Sequence, residues 1–265
     1  MLGHKEELGG FRKMKFIRFV IIGLLFSVSS YSQFLAVLSA EGEGVSPLLD
    51  SLFAYYTLDE ASGNAIDVHG SNNLIASGSV TYQQTGKIND CHYYETNGEL
   101  SDGITEEFNF PASFSFAFWV KTTDTEEGFH ALLANFSAPH YGWDYQMGGS
   151  GISYLNYYYN GGSVQLNETT LLLNDGDWHY VASTYSSADN SIKLYIDGAL
   201  KDSDDLGASL YWDAANEFCV AHRIGGLYTD VYMDEIAIWR GKELDITEIG
   251  LLYNSGSGLA YPLDY

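Results

Sequence analysis

The sequence predicts an all-β protein in which two antiparallel sheets pack as a sandwich, with one short helix near the C-terminus. Short runs rich in Val, Ile, Tyr and Phe recur between residues 52 and 240, separated by turn-forming residues, which is typical of a sandwich or barrel. Residues 175–200 have the pattern of one long hairpin. In the body of the chain, a helical pattern is nearly confined to residues 245–253.

The hairpin consists of two strand-like runs, residues 180–185 and 192–196, joined by a polar connection. After the second run, Asp197 and Gly198 form a dipeptide suited to a tight turn that needs positive φ. In the helical segment, Ile246, Ile249, Leu252 and Tyr253 could face one side. Asp245 followed three residues later by Glu248 has the spacing of a helix-capping box.

The N-terminus has the layout of a secretory signal peptide over residues 1–32. Basic residues precede an uncharged stretch at 19–28, and Ser30 and Ser32 provide small residues for cleavage. The true start could be Met14. The alternative is an uncleaved anchor, but the apolar stretch is shorter than the roughly 20 residues of a membrane span. We therefore expect a linker at 33–50, a folded domain at 51–265, and a secreted or cell-surface protein.

Charge limits the partners of the exported part. Residues 33–265 contain 7 Lys and Arg against 33 Asp and Glu, a formal net charge of −26. Nucleic-acid binding is disfavoured because a phosphate backbone needs cationic side chains to replace its counterions. Acidic polysaccharides and anionic membranes are disfavoured for the same reason. The expected partner is a glycan or a cell-surface protein.

The two cysteines, Cys91 and Cys219, both fall in predicted strands. Export would permit a disulfide between them. The alternative is two buried thiols that act as small apolar residues. No CxxC or HxxxH spacing accompanies them, which disfavours a zinc site.

Four segments resemble one family in order and spacing: residues 54–74, residues 111–122 (PASFSFAFWVKT), the hairpin at 175–200, and residues 231–258, which begin VYMDEIAIW. They are similar to the laminin G-like, concanavalin A-like jelly-roll domains. One departure is Tyr-Glu-Thr-Asn-Gly at 94–98, where the family usually has Phe-Asp-Gly. The resemblance implies a jelly-roll sandwich and a core that contains Trp119, Trp178, Trp239, Phe116, Phe118, Val181, Leu194, Ile196, Ile236 and Ile238.

The resemblance also implies a structural Ca²⁺ that fastens the first loop to the last strand. Calcium takes six to eight oxygen ligands from carboxylates, amides, carbonyls and water. Asp67 and Asn72 lie in the first loop, Asp234 matches the acid of the closing strand, and Asp59 is a further candidate. The alternative is that Asp67 caps a turn and Asp234 faces solvent.

An aromatic ligand platform is the second candidate site. Sugars dock on Trp and Tyr rings, and nearby polar side chains accept their hydroxyl hydrogens. Trp143 and Tyr145 are predicted in a Gly-flanked loop, Tyr157 and Tyr159 on one face of a strand, and Trp212 between strands. The alternative is that these rings fill the core or support strand pairing.

Members of this family mostly bind carbohydrates or proteins, and related folds include glycanases. The segment Glu243–Glu248 superficially resembles a glycanase signature, but the capping box accounts for it better, and no catalytic residues are assigned. We expect a non-catalytic glycan- or surface-ligand-binding module. The alternatives are a structural or adhesive protein-interaction module of an envelope or virion, and a glycoside hydrolase or lyase.

Overall fold

The computed structural model of the protein describes residues 46–265. The predicted signal peptide and residues 33–45 of the predicted linker therefore lie outside the described residues. The remaining residues of that linker belong to the fold, because residues 47–49 form a 3₁₀ turn and Leu48 is fully buried.

The described residues form antiparallel strands and one short helix, α1 (Ile246–Tyr253). The strands are β1 (Leu52–Tyr56), β2 (Ile75–Thr85), β3 (Asp90–Ser101), β4 (Phe114–Lys121), β5 (Phe129–Ser137), β6 (Tyr141–Gly148), β7 (Ser153–Tyr159), β8 (Gly162–Glu168), β9 (His179–Tyr185), β10 (Ser191–Ile196), β11 (Ala199–Asp205), β12 (Glu217–Val220), β13 (His222–Arg223), β14 (Leu227–Tyr228) and β15 (Val231–Arg240).

One hydrogen-bonded path joins most strands, in the order β11-β10-β9-β4-β15-β3-β12-β5-β6-β7-β8. β1 pairs with β15, β2 pairs with β3, and β13 and β14 form a separate small ladder. The two ends of the path meet where the Asn167 amide donates to Asp202 Oδ2 at 2.9 Å.

The all-β antiparallel prediction is confirmed, but the sheet is nearly closed and does not divide clearly into two sheets. The reason is β12, which pairs with β3 on one side and with β5 on the other. Cys219, for example, lies opposite both Ser101 and Ala134. This short strand joins, through backbone hydrogen bonds, the two sheets that the sequence predicted to be separate.

The main core fills the space enclosed by the sheet. Seven of the predicted core residues lie there with at most 1% of their surface exposed: Phe116, Phe118, Val181, Leu194, Ile196, Ile236 and Ile238. Burial of each such side chain stabilises the fold by roughly 1.5–3 kcal/mol.

The tryptophans predicted for that core lie elsewhere. Trp119 and Trp239 are buried on the opposite, outer face, under α1 and the 3₁₀ turn, and Trp178 is only half-buried against the same cluster. Successive strand residues point to opposite faces, so Trp119 cannot share the face of Phe118. Trp239 Nε1 donates to the Leu48 carbonyl at 2.7 Å, which fastens the 3₁₀ turn to the sheet.

The capping box at the start of α1 is confirmed. Asp245 accepts hydrogen bonds from the amides of Thr247 and Glu248, and the Glu248 side chain accepts from the Asp245 amide. Ile246 departs from the prediction, because it is exposed while Ile249 and Leu252 are buried. No helix within residues 46–265 is long and apolar enough to cross a membrane.

The long hairpin is also confirmed. β9 pairs with β10 in antiparallel register, and Asp197 and Gly198 have φ of 53° and 74° at the turn into β11. The Asp197 carboxylate is fixed in place, because Oδ1 accepts from the Tyr180 amide and Oδ2 contacts His179 Nδ1 at 2.9 Å.

Of the two alternatives for Cys91 and Cys219, the structure has the buried free thiols. Cys219 pairs with Ser101, ten residues further along β3 than Cys91. A strand rises roughly 3.3 Å per residue, whereas a disulfide requires Cα atoms about 4.4–6.8 Å apart. In this register the two thiols lie too far apart along β3 to be joined.

His179 makes stability depend on pH. Burial lowers the pKa of its imidazole, but hydrogen bonds to Asp197 and Asp175 outweigh this effect and raise it above the usual value. The resulting stabilisation is complete below the pKa of free His, about 6.5, and is lost as pH rises through the folded-state pKa. We expect the urea-unfolding free energy of wild type to exceed that of His179→Gln most at pH 6, with the difference shrinking towards pH 9. A constant difference over this range would contradict the expectation.

Candidate ligand-binding site

Three of the five predicted platform residues are core residues. Trp143, Tyr145 and Tyr157 have at most 2% of their surface exposed. Trp143 stacks on Phe116 at 4.3 Å, and the Tyr157 hydroxyl lies 2.8 Å from Ser183 Oγ. The predicted loop around Trp143 is strand β6, whose alternation turns Trp143 and Tyr145 inward. These three rings therefore present no face to a ligand.

Tyr159 and Trp212 are half-buried, and both lie at the same edge of the sheet. Tyr159 ends β7 and forms a bridge with Leu210, next to Tyr211 and Trp212. Tyr211 is 41% exposed and lies 4.8 Å from the Tyr141 ring at the start of β6. The structure thus gathers several partly exposed aromatic rings where β6 begins and β7 ends.

A groove of about 490 Å³ opens at this edge, and we call it the tyrosine groove. Its aromatic lining comes from His140, Tyr141, Tyr158 and Tyr159, and the His140 and Tyr158 rings stack at 5.3 Å. The turn between β7 and β8 adds small and polar groups. The remaining lining residues are Pro139, Asn156, Asn160, Gly161, Gly162 and Ser163.

A buried polar network supports the floor of the tyrosine groove. Asp144, which is fully buried, accepts from Asn156 Nδ2 at 2.7 Å and from the Tyr158 hydroxyl at 3.2 Å. Arg223, from the β13–β14 hairpin, donates to Asp144 Oδ2 at 2.6 Å. Gln165 on β8 donates to Asn156 Oδ1 at 2.8 Å.

This network fixes two of the groove side chains before any ligand arrives. Both amide atoms of Asn156 are engaged, and burial together with the nearby Asp144 raises the pKa of Tyr158. The exposed residues His140, Asn160 and Ser163 keep polar atoms at the rim. A rigid aromatic surface with polar groups at its edge can stack against an apolar ring face and hydrogen-bond to hydroxyl groups.

Sequence reasoning missed most of the tyrosine groove. The alternation of β6 and β7 was the available signal, because residues that alternate with the buried Trp143 and Tyr157 must face outward. That rule points to Asp144, Asn156 and Tyr158. No pattern in the sequence indicated that Arg223 contributes to the groove, because the hairpin that carries it is distant in sequence from β6 and β7.

The predicted calcium ligands divide into two separate pairs. Asp67 and Asn72 lie in the first loop, where Asp67 accepts from the amides of Tyr55, His69, Gly70 and Asn72. Burial would raise the pKa of Asp67, but these hydrogen bonds hold it below the usual value. Both carboxylate oxygens are already engaged, which is the turn-capping role that the sequence left open.

Asp59 and Asp234 meet instead at the turn between β2 and β3. Asp234 Oδ2 accepts from the amides of Lys87 and Ile88, and Asp59 Oδ1 accepts from the Asp90 amide at 2.9 Å. Asp234 is fully buried rather than solvent-facing, and its Oδ1 has no hydrogen-bond partner. Burial, with a further contribution from Glu235, raises the pKa of Asp234 to about 9.

The Asp59–Asp234 pair fits a cation better than the first loop does. An unpartnered buried carboxylate oxygen is a strained acceptor that a divalent ion would satisfy. Within residues 46–265, no group of three or more His, Cys, Asp or Glu side chains is arranged to hold a metal. Backbone carbonyls and water would therefore have to supply most ligands of such an ion.

Sequence comparison identifies one matching family. The model of the family described as "Concanavalin A-like lectin/glucanases superfamily" matches residues 92–250, more than half of the chain. One curated relative is the non-toxic nonhemagglutinin of Paraclostridium bifermentans, which is 24% identical over 148 residues. The matched region is 54% of this chain and 12% of that relative.

Two solved structures with the same fold come from toxins. The binding domain of Paraclostridial Mosquitocidal Protein 1 has a TM-score of 0.66 and 16% identity, over 79% of this chain and 53% of that chain. A structure of botulinum neurotoxin type C, whose cell entry depends on interaction with two ganglioside molecules, has a TM-score of 0.62 and 17% identity. It covers 84% of this chain and 54% of that chain. The chain thus spans about half of these solved chains.

Removal of Arg223 tests the support of the tyrosine groove. Arg223→Met leaves Asp144 as a buried charge without its ion-pair partner, which typically costs about 3–5 kcal/mol. We expect a loss of that size in urea-unfolding free energy. The double variant with Asp144→Asn should recover part of it, because the amide carries no charge. A single variant as stable as wild type, or a double variant with no recovery, would show that the pair does not support the groove.

Proposed function

The chain belongs to the concanavalin A-like lectin/glucanase superfamily, and on this basis we propose that it is an exported, non-catalytic module that binds a carbohydrate on a cell surface. The observation that carries the proposal is the tyrosine groove, in which aromatic rings and amide and hydroxyl groups share one rigid rim. Such a combination of stacking faces and polar groups suits a sugar, which has apolar ring faces and hydroxyl edges.

The relatives support a binding role over a catalytic one. The solved neighbours include a toxin binding domain, and the type C neurotoxin depends on ganglioside molecules, whose headgroups are sialylated glycans. These neighbours support a glycan ligand in general and carry no argument about its charge for this chain. Retaining or inverting hydrolysis of a glycoside needs two carboxyl groups about 5–10 Å apart across the bond. The residues that line the tyrosine groove include no Asp or Glu, and the carboxylates of Asp245 and Glu248 are engaged in capping α1.

A protein-binding module is the second candidate, and β2 is the observation that favours it. In the described part of the chain, β2 pairs only with β3, and most of its residues are exposed. Such an edge can accept a strand from a partner protein. Cell binding that survives enzymatic removal of surface glycans would favour this candidate over the carbohydrate.

Calcium is the cofactor that we propose, held by Asp59 and Asp234 rather than by Asp67 and Asn72. The unpartnered Oδ1 of Asp234 supports this assignment, as do the two carboxylates that flank the β2–β3 turn. The ion would fasten that turn to the last strand and remove the repulsion between the buried Asp234 and the half-buried Asp59.

Glycan binding is tested by changing one half-buried ring of the groove, Tyr159. Tyr159→Ala removes a ring that lines the groove and packs at the margin of the main core, and we expect oligosaccharide affinity on a glycan array to fall about tenfold, or roughly 1.4 kcal/mol. Tyr154→Ala is the matched control, because Tyr154 is a half-buried tyrosine near the other end of β7 that does not line the groove. Equal losses in both variants, or none in either, would refute the groove as the binding surface.

Calcium binding is tested by thermal unfolding with excess Ca²⁺ and with EDTA. A ligand that binds only the folded state stabilises it by about 2.7 kcal/mol at one hundred times its Kd. We expect Ca²⁺ to raise the melting temperature of wild type and of Asp67→Asn, but not of Asp234→Asn. If the Ca²⁺-dependent rise in melting temperature is lost in Asp67→Asn and kept in Asp234→Asn, the ion binds in the first loop and the proposed site is wrong. Identical melting with Ca²⁺ and EDTA in wild type would exclude the ion.

A further inference from the structure

From the charges around the tyrosine groove, we propose that the ligand is an uncharged glycan and that sialylated or sulfated glycans are rejected. This inference rests on the proposed function and specifies its ligand class. No Lys, Arg, Asp or Glu is among the residues that line the groove. Its polar groups are amides, hydroxyls and an imidazole, which suit sugar hydroxyls but provide no guanidinium or ammonium group for an anion.

The basic side chains of residues 46–265 are all engaged in contacts within the fold. Each forms an ion pair with a carboxylate or lies over an aromatic ring. The ion pairs are Lys193–Glu243, Lys201–Glu168, Arg223–Asp144 and Lys242–Glu248, and the ring contacts are Lys87 over Trp119, Lys121 over Trp178 and Tyr232, and Arg240 over Phe53 and Phe110.

Arg223 is the basic residue that contacts the buried polar network beneath the groove, and it is not free to bind an anion. Its Nη1 lies 2.6 Å from the fully buried Asp144, and its guanidinium lies 4.4 Å from the Phe136 ring centroid. If Arg223 turned towards a ligand, Asp144 would become an unpaired buried charge, a change that costs several kcal/mol. A ligand carboxylate would have to compete against that cost.

The net negative charge of the whole domain also disfavours an anionic ligand. Residues 46–265 carry 31 Asp and Glu against 7 Lys and Arg. Such an excess produces a negative potential that extends about 8 Å into solution at physiological salt. An anionic sugar would meet this repulsion without a local cation to offset it, whereas a neutral sugar would not. The groove therefore discriminates by charge.

A matched pair of oligosaccharides tests the inference. The protein is titrated with a galactose-terminated oligosaccharide and with the same oligosaccharide carrying one terminal sialic acid. We expect the neutral form to bind at least tenfold more tightly, with a difference that shrinks as salt is added. Equal or tighter binding of the sialylated form, lost in Tyr159→Ala, would overturn the inference but leave the proposed function standing. Absence of binding to both sugars would overturn the proposed function and the inference with it.

Two lysine variants test whether the groove rejects sialylated glycans by charge or by shape. Asn160→Lys places a cation at the exposed groove rim, whereas Thr169→Lys adds the same charge just beyond the far end of β8, roughly 20 Å along the strand. We expect Asn160→Lys to restore most sialylated-glycan binding, and Thr169→Lys to restore much less. If Asn160→Lys restores none, rejection is steric and the charge argument is wrong.

Discussion

The alternation of side chains along β6 and β7 is the constraint on which the rest of the molecule depends. Because the sheet closes almost completely, every strand residue must point either into the shared core or outward. Trp143 and Tyr157 point inward and fill the core. Their neighbours Asp144 and Tyr158 must then point outward, where a carboxylate and a phenol can build a polar support.

That outward face explains how a strongly acidic domain can hold a rigid recognition surface. The ion pair of Arg223 with Asp144 joins the β13–β14 hairpin to β6, and the same carboxylate holds Asn156 and Tyr158 on β7. Separate elements are thus fastened at one buried point beneath the tyrosine groove. Since the pair neutralises itself, it adds rigidity without giving the groove a net charge, which fits a site for a neutral ligand.

The sequence predicted the elements whose signals are local. The hairpin turn at Asp197 and Gly198, the capping box at Asp245, and the inward aliphatic residues of β9, β10 and β15 all follow from spacing and residue type. The prediction missed that β12 joins the two expected sheets and that Trp143 lies in a strand rather than a loop. The joining of the two sheets depends on contacts between distant segments, as does the contact of Arg223 with Asp144, whereas the strand around Trp143 had a local signal in its alternation.

A crystal structure of the protein with a bound neutral oligosaccharide tests the central claim most directly. The account places a sugar ring against the partly exposed aromatic rim at His140 and Tyr159, with Trp143 and Tyr157 unmoved in the core. Density for the sugar at a different surface, such as the polar pocket lined by Asn72 and Thr105, would contradict it. So would a complex in which Arg223 leaves Asp144 to contact the ligand.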